Sequence, residues 1–508
     1  MSSDNPLLLA PIFIHVFCGL VALALWRFNL YQRIIGVLSG LLALGCTAAL
    51  SMQVAADGVQ VYRLGGWQPP YGIALVADGL TVFFSLMVGI VVLAAMVYTY
   101  SCREKSMLRN AYMPLALMQA AALNGAFITG DIFTFFVFME LLVITSVILV
   151  ANSDNPDGIE AATKYLLISA SGTLLLLAGI AMVYANYGTL NMADIARLAA
   201  EAGDTNLAAG AAMMLMCAFL LKSAAFPFHF WQPDFHTTAP APMSALLSSV
   251  VVKVGVYGLI RLTTLMFPAS AGDVRAILVG LGLVGILFGG LTAMRTHNLK
   301  RVLAYSTLAQ IGFILIGIGW GTPLALAGAL IYAFNHALIK SALLMLAGLV
   351  ASRTTTKTSA LENSHGVGHG MPWPSLLFFT GGLALAGIPP LNGFISKVAI
   401  VQGGVEAAQT TGAGTTWLWL AMAVGGGLLS LMYVTRTWQL IFQQGPDNLT
   451  AKLKPFNEGD SWLAPALLIG GCVLLGIFGA PLVEAAQTIA VQIGAPVHYI
   501  VAVLGGGS

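Results

Sequence analysis

Of the 508 residues, 58% are hydrophobic and 8% are charged, with a mean hydropathy of +0.87, whereas soluble domains carry roughly 25% charged residues. The net charge of +2 comes from 22 basic and 20 acidic residues and offers no basic face to nucleic acid. The five scattered cysteines, Cys18, Cys46, Cys102, Cys217 and Cys472, show no CxxC spacing and read as small apolar fillers. This is the composition of a polytopic protein whose solvent is a lipid bilayer.

A helix needs about 20 apolar residues to cross the hydrocarbon. In chain order, windows of that length fall at roughly 7–26, 34–55, 74–100, 108–128, 131–151, 161–186, 206–228, 243–265, 274–295, 301–320, 323–351, 373–400, 415–443 and 462–483. They predict an all-α fold of about fourteen transmembrane helices. The start, MSSDNPLLLAPIF, has neither a basic n-region nor a small-residue cleavage site, so the first window is expected to be a span and not a removed signal. The tail, 485–504, is expected to lie on the surface or cross again.

One set of alternate connections and flanks holds Arg27, Arg33, Arg103, Lys105, Arg109, Lys164, Arg295, Lys300, Arg301, Arg353, Lys357, Arg436, Lys452 and Lys454; the other holds Arg63, Arg197, Arg261 and Arg275. Basic residues accumulate on the cytoplasmic side, so this split supports the windows and predicts an N-terminus on the outer side. It leaves Lys222, Lys253, Lys340 and Lys397 inside spans. Glu140 is likewise mid-span, in FVFMELLVITSVILV.

Each charge at bilayer depth costs about 2.5–3.5 kcal/mol on insertion scales, so these side chains are expected to face a wet or paired bundle interior. For Glu140, Lys222 and Lys253 the expectation is a titrating relay, the alternative being structural ion pairs. An enclosed lysine binds its proton less tightly, and a nearby carboxylate restores the affinity. A hundredfold switch of that kind is about 2.8 kcal/mol, commensurate with the roughly 2.3 kcal/mol needed to carry one charge across 100 mV. In YAFNHALIKSALLML, His336 and Lys340 sit four apart on one helix face beside Asn335. His336 is expected to relay, and Lys340 to relay, to tune the histidine, or to snorkel.

GIPPLNGFISK places Pro389, Pro390 and Asn392 before Lys397. Proline removes a backbone donor and breaks a helix. Irregular backbone at membrane depth survives where it is buried in protein or lines water, so a broken helix near 388–393 is expected to hold water beside Lys397. A plain proline kink with Lys397 near the interface is the simpler alternative. AAFPFHFWQPDFHTTAPAP, with Pro227, predicts a second break near 226–233 after Lys222. Two interrupted helices five spans apart suggest two inverted five-helix repeats, 108–265 (spans 4–8) and 274–443 (spans 9–13), between 1–107 (spans 1–3) and 444–508 (span 14 and tail).

Other motifs carry less. GLGLVG from Gly280 to Gly285 matches a dinucleotide fingerprint but lies inside a predicted span, where small residues serve helix packing. His365 and His369 have i, i+4 spacing among loop glycines with no third ligand nearby, so structural zinc is not expected. His229 and His236 flank the first break and read either as a cytoplasmic proton entrance or as interface histidines.

FMELLVITSVILV, LKSAAFPFHFWQPDFHTTAPAPMSALLSSVVVKVGVYGLIR, NHALIKSALL and GIPPLNGFISK together resemble the antiporter-like proton-channel subunits shared by respiratory complex I, membrane-bound hydrogenases and Mrp-type multisubunit cation/proton antiporters. The similarity runs over nearly the whole chain and is densest from about 108 to 400. The lysine in the twelfth span, PPLNGF at the break and LGGWQPPYGIALVADGL before span three resemble most the D-type branch of Mrp Na+/H+ antiporter subunits, with a hydrogenase or complex I-type subunit as the alternative. The resemblance implies fourteen helices with two inverted repeats around a hydrophilic axis. It also implies Glu140 and Lys222 as a coupling ion pair, Lys253 as the central proton carrier, His336 as the connecting histidine and Lys397 as the terminal lysine. Lys340 matches a basic position found in part of the family. The expectation is therefore a proton-translocating subunit without cofactor or metal, working with other membrane subunits in a prokaryotic inner membrane and moving protons coupled to Na+. A structural scaffold and a self-sufficient solute carrier are the competing classes.

Overall fold

The computed structural model describes residues 4–102, 107, 111–153, 156–203, 205–268, 271–354, 360–361, 364–412, 414–443, 453–454 and 460–505. Its helices follow one another as Ala10–Ala24, Asn29–Asp57, Gly79–Ser101, Tyr112–Ile128, Ile132–Ala151, Pro156–Tyr187, Met192–Ala202, Asn206–Lys222, Trp231–Thr238, Ala241–Met266, Ala271–Arg295, Leu299–Trp320, Pro323–Arg353, Pro372–Ala386, Asn392–Thr411, Gly414–Gln443, Leu463–Ile477, Ala480–Gly494 and Val497–Leu504. Among the described residues, ten helices are long and apolar enough to cross a membrane. The remaining windows appear as shorter apolar helices, Tyr112–Ile128, Asn206–Lys222 and Pro372–Ala386, and as the pair Leu463–Ile477 and Ala480–Gly494, bent by 78°.

Local chemistry sets the boundaries. Gly79–Ser101 begins where the Asp78 carboxylate accepts the Thr81 amide at 2.9 Å, and Ile132–Ala151 where Asp131 accepts that of Thr134 at 2.7 Å. The third window was expected to start at 74, but Ala74–Ala77 is a strand paired antiparallel with Gln60–Arg63. A fully apolar run of four cannot by itself distinguish strand from helix. The last window was expected to be one straight span. It bends after Ile477 because Pro481 stands at the start of the next helix, and a proline does not continue the one before it. The tail then packs over the hairpin end: Ala486 and Tyr499 are buried, and the Tyr499 ring lies 5.0 Å from the Arg261 guanidinium.

The connections at the two ends bind each other. At the hairpin end, Leu75 bridges Thr129 and Asp131 bridges Asn191; at the opposite end, Asn298 bridges Ala360 and Thr354 bridges Leu453. Asp234 joins Lys164 at 3.0 Å and Arg301 at 2.5 Å at that opposite end, the face to which most basic residues were assigned. Arg103, Lys105, Arg109, Lys357 and Lys452 lie outside the described residues.

Peripheral helices such as Ala10–Ala24 and Asn29–Asp57 turn Phe13, Phe17, Leu41 and Leu42 outward, as suits a chain whose solvent is hydrocarbon. Ala241–Met266 and Pro323–Arg353 are instead enclosed along their whole membrane-spanning windows. GLGLVG lies within the helix Ala271–Arg295, and there Gly282 meets Gly312 of Leu299–Trp320 so closely that a Cβ on Gly282 would stand 2.7 Å from the Gly312 carbonyl oxygen. The glycines let two backbones touch. Replacing Gly282 by Val should force these helices apart at about 1–3 kcal/mol, visible as a lowered melting temperature of the purified protein.

Candidate functional site

Glu140 and Lys222 form an ion pair, with Nζ 3.7 Å from Oε1. At that separation and an effective dielectric near 20, the attraction is roughly 4 kcal/mol. It offsets much of the insertion cost of two charges, about 2.5–3.5 kcal/mol each. The helix Pro156–Tyr187 supplies the rest. Thr173 Oγ1 donates to Glu140 Oε1, while Lys222 Nζ donates to Ser169 Oγ at 2.8 Å, to Ser169 O at 3.3 Å and to Thr173 Oγ1 at 3.3 Å. Lys222 is buried; Glu140, with 30% of its side chain exposed, lies at a flank of the bundle. Ser169 and Thr173 were missed, although their i, i+4 spacing in ISASGTLLLL is a legible signal.

Lys222 ends its helix, and the break runs over 223–230, earlier than expected. Ser223 and Ala224 already leave the helical path, with Ala224 in the left-handed region at φ +51°. Pro227 lies within the irregular stretch. A small cavity of about 10 Å³, the size of one water, touches Lys222, Ser169 and Tyr165 on one side and Val251 and Val254 on the other. It therefore reaches from Lys222 toward the helix that carries Lys253.

Lys253 is wholly buried, and its Nζ lies 2.5 Å from Nδ1 of the equally buried His336. The ammonium also donates to Ser248 O at 3.3 Å. That carbonyl belongs to a π-helical segment, Leu247–Val251, of the kind that recurs at functional sites. Nδ1 accepts from an ammonium only if the imidazole carries its own hydrogen on Nε2, and His336 Nε2 has no protein partner among the described residues. The pair is thus poised to take a proton at one nitrogen and pass one on from the other. Lys340 shares the helix of His336 but turns to Leu299–Trp320, donating to Leu303 O at 2.7 Å and to Ser306 Oγ. It is fully enclosed, so snorkelling is ruled out.

Lys397 is partly buried. Its Nζ donates to the carbonyls of Leu385 and Ala386, each at 3.0 Å, at the end of Pro372–Ala386. The second break covers 387–391, and Asn392 opens the next helix. Pro389 and Pro390 fall inside it, and the unsatisfied carbonyls of the first half-helix bind the lysine itself, as the negative end of a helix favours. Asn335 ties the central helix Pro323–Arg353 to this break, donating to Asn392 O at 3.1 Å and to Ser396 Oγ at 2.9 Å. Tyr332 stands between the two centres: its ring is 6.1 Å from that of His336 and 5.8 Å from Lys397 Nζ. Tyr332 donates to Gln310, which in turn donates to Ser430 at 3.0 Å and Tyr433 at 2.9 Å. Gln310, polar inside an apolar span, was the overlooked signal for this branch.

The two flanking histidines are not an open mouth. His229 is buried with its ring 4.6 Å from Phe230 and 5.1 Å from Phe288, and His236 is fully enclosed beside Phe235. His365 Nδ1 pairs with Leu440 O at 2.8 Å, and His369 is exposed.

A family profile described as NADH:quinone oxidoreductase/Mrp antiporter, TM, matches residues 129–425, a segment that holds Glu140, Lys222, Lys253, His336, Lys340 and Lys397. The chain belongs to this family. The D-type component of the Na(+)/H(+) antiporter of Alkalihalophilus pseudofirmus is 31% identical over 98% of this chain and 99% of its own length. The N-type component of the NADH-quinone oxidoreductase of Desulforudis audaxviator is 32% identical over 95% and 98%, respectively. The same fold occurs in a structure of an Mrp complex from Dietzia sp. DQ12-45-1b, with a TM-score of 0.90 at 24% identity over 99% of this chain and 100% of that one. Membership places the chain among multi-span membrane proteins, and the solved relative sits in a multisubunit assembly.

Gly387 exposes the second break to a direct test. At φ +85° it occupies a conformation that side chains rarely adopt, and a Cβ there would stand 2.8 Å from Lys397 Cδ. Gly387→Ala should displace the lysine from its two carbonyls and slow ion transport severalfold without loss of the protein from the membrane, measured by transport assay beside an immunoblot.

Proposed function

We propose that the chain is the proton-translocating subunit of a multisubunit Na+/H+ antiporter. Protons move along Glu140, Lys222, Lys253, His336 and Lys397, and Na+ movement is coupled to them in partner subunits. The observation that carries this reading is the Lys253–His336 contact of 2.5 Å inside two fully enclosed helices. A scaffold has no need of a cation against an imidazole, since well-packed apolar residues hold helices at least as well. The ends of the string support it too. Glu140 and Lys397 are the members that are not fully enclosed, so a proton can pass to neighbouring subunits at both flanks. Lys340, anchored on Leu303 and Ser306, acts as a side branch that sets the field at His336.

In this reading the two broken helices belong to inverted units over 108–265 and 274–443, and the basic end faces the cytoplasm of a prokaryotic cell, with the N-terminus outside. The NADH-quinone oxidoreductase relative matches over nearly the same length, so a redox-driven assembly is the second reading. Co-purification with small membrane subunits points to an antiporter, and with iron–sulfur subunits to the redox machine.

Glu140→Ala and Lys222→Ala should each lower antiport in everted vesicles below about a tenth of the wild-type rate while the assembly remains intact on native gels. Full activity in assembled variants defeats the assignment. Lys222→Arg keeps the charge, but a guanidinium does not give up its proton. It should therefore assemble and still not transport, whereas a purely structural ion pair predicts wild-type transport from the arginine variant.

A further inference from the structure

Between Lys253 and the hairpin end, the same helix carries polar groups that the relay does not use. Tyr257 and Arg261 follow Lys253 at intervals of four, on one helical face. Tyr257 Oη donates to Phe127 O at 2.9 Å, lies 3.3 Å from Thr81 Oγ1 and accepts from Arg261 Nε at 3.0 Å. Arg261 grips Asp78 with both terminal nitrogens, at 2.8 and 2.7 Å. The rings of Phe84, Phe127 and Phe135 lie 5.6, 5.1 and 6.3 Å from that of Tyr257. They form an apolar collar around the tyrosine ring.

Below the collar, Asp78 and Arg261 stand in the wall of a cavity of about 540 Å³, room for a cluster of waters. Arg63, His498 and the exposed Asp57 also line it, so it reaches the surface at the hairpin end. A buried ion pair is weak evidence for stability by itself. This one is placed where a cavity open to the surface meets the helix face that leads, two turns on, to Lys253.

We propose that Lys253 has a second proton path, through the Tyr257 hydroxyl to the Asp78 carboxylate and out into this cavity, with Arg261 as its latch. The proposal rests on the relay reading. One proton leaves the Lys253 ammonium for an intervening water, which passes one of its own to Tyr257 Oη; that oxygen hands its hydrogen to Thr81 Oγ1, 3.3 Å away, and the threonine hands its own to Asp78. Water, tyrosine and threonine end unchanged, and the lysine and the carboxyl end neutral. The Arg261 guanidinium, released from a neutral carboxyl, turns to water. Water in the cavity then takes the proton from Asp78, and the ion pair closes again.

The test uses the complete complex in proteoliposomes, with proton flux read by a trapped pH-sensitive dye. Tyr257→Phe and Asp78→Asn should each slow flux at least fivefold, with assembly and melting temperature of the Phe variant unchanged. Wild-type flux in both overturns the path. If Asp78→Asn fails to assemble, Tyr257→Phe decides alone, because it keeps the ring in its collar and removes one oxygen. Lys253→Ala separates the two ideas. If it abolishes flux while the Tyr257 and Asp78 variants run at wild-type rate, the outer branch is wrong and the relay stands; if it leaves flux intact, the relay itself falls.

Discussion

The Lys253 amine group 2.5 Å from an imidazole, in the centre of a bundle without surface exposure, is the arrangement that the rest of the chain accommodates. Hydrocarbon gives neither group a partner, so each must be met by protein. The π segment offers the Ser248 carbonyl to Lys253, Tyr332 stands beside the histidine, and Lys340 is drawn away onto Leu303 and Ser306. The two helices that carry these groups are enclosed on every side, whereas the peripheral helices bear the contact with lipid. The charge is placed first, and the packing follows from it.

The broken helices solve the same problem at the flanks. Carbonyls within a continuous helix already accept from that helix, whereas those at a helix end have no intrahelical partner. Interrupting Pro372–Ala386 leaves the carbonyls of Leu385 and Ala386 free to receive Lys397. In the first break the lysine is instead the last residue of its helix, and its partners are the hydroxyls of Ser169 and Thr173 on a neighbour. One flank thus binds its lysine by backbone carbonyls and the other by hydroxyls, a carboxylate and the Ser169 carbonyl.

Much of this was legible in the chain. Glu140, Lys222, Lys253, His336 and Lys397 stand out because charge inside apolar windows is expensive, and the structure pairs Glu140 with Lys222 and Lys253 with His336. What the pattern misplaced has local causes. Ala74–Ala77 is too short a run for periodicity to name it a strand, and the break after Lys222 starts at Ser223 because chain direction changes before the proline that advertises it. His229 and His236 look like surface histidines by their neighbours in sequence, yet aromatic rings from distant helices close over His229 and the bundle encloses His236 completely.

The sequence by itself determined the solvent, most of the helices and the placing of Glu140, Lys222, Lys253, His336, Lys340 and Lys397 inside spans, since each follows from the cost of placing a residue type in hydrocarbon. Only the tertiary structure decided which of those groups meet. Lys253 and His336 are 83 positions apart, and Lys340, one turn from that histidine, faces a different helix. Such choices depend on how helices rotate against one another, which glycines such as Gly282 and Gly312 set through backbone contact, and no local pattern records that rotation.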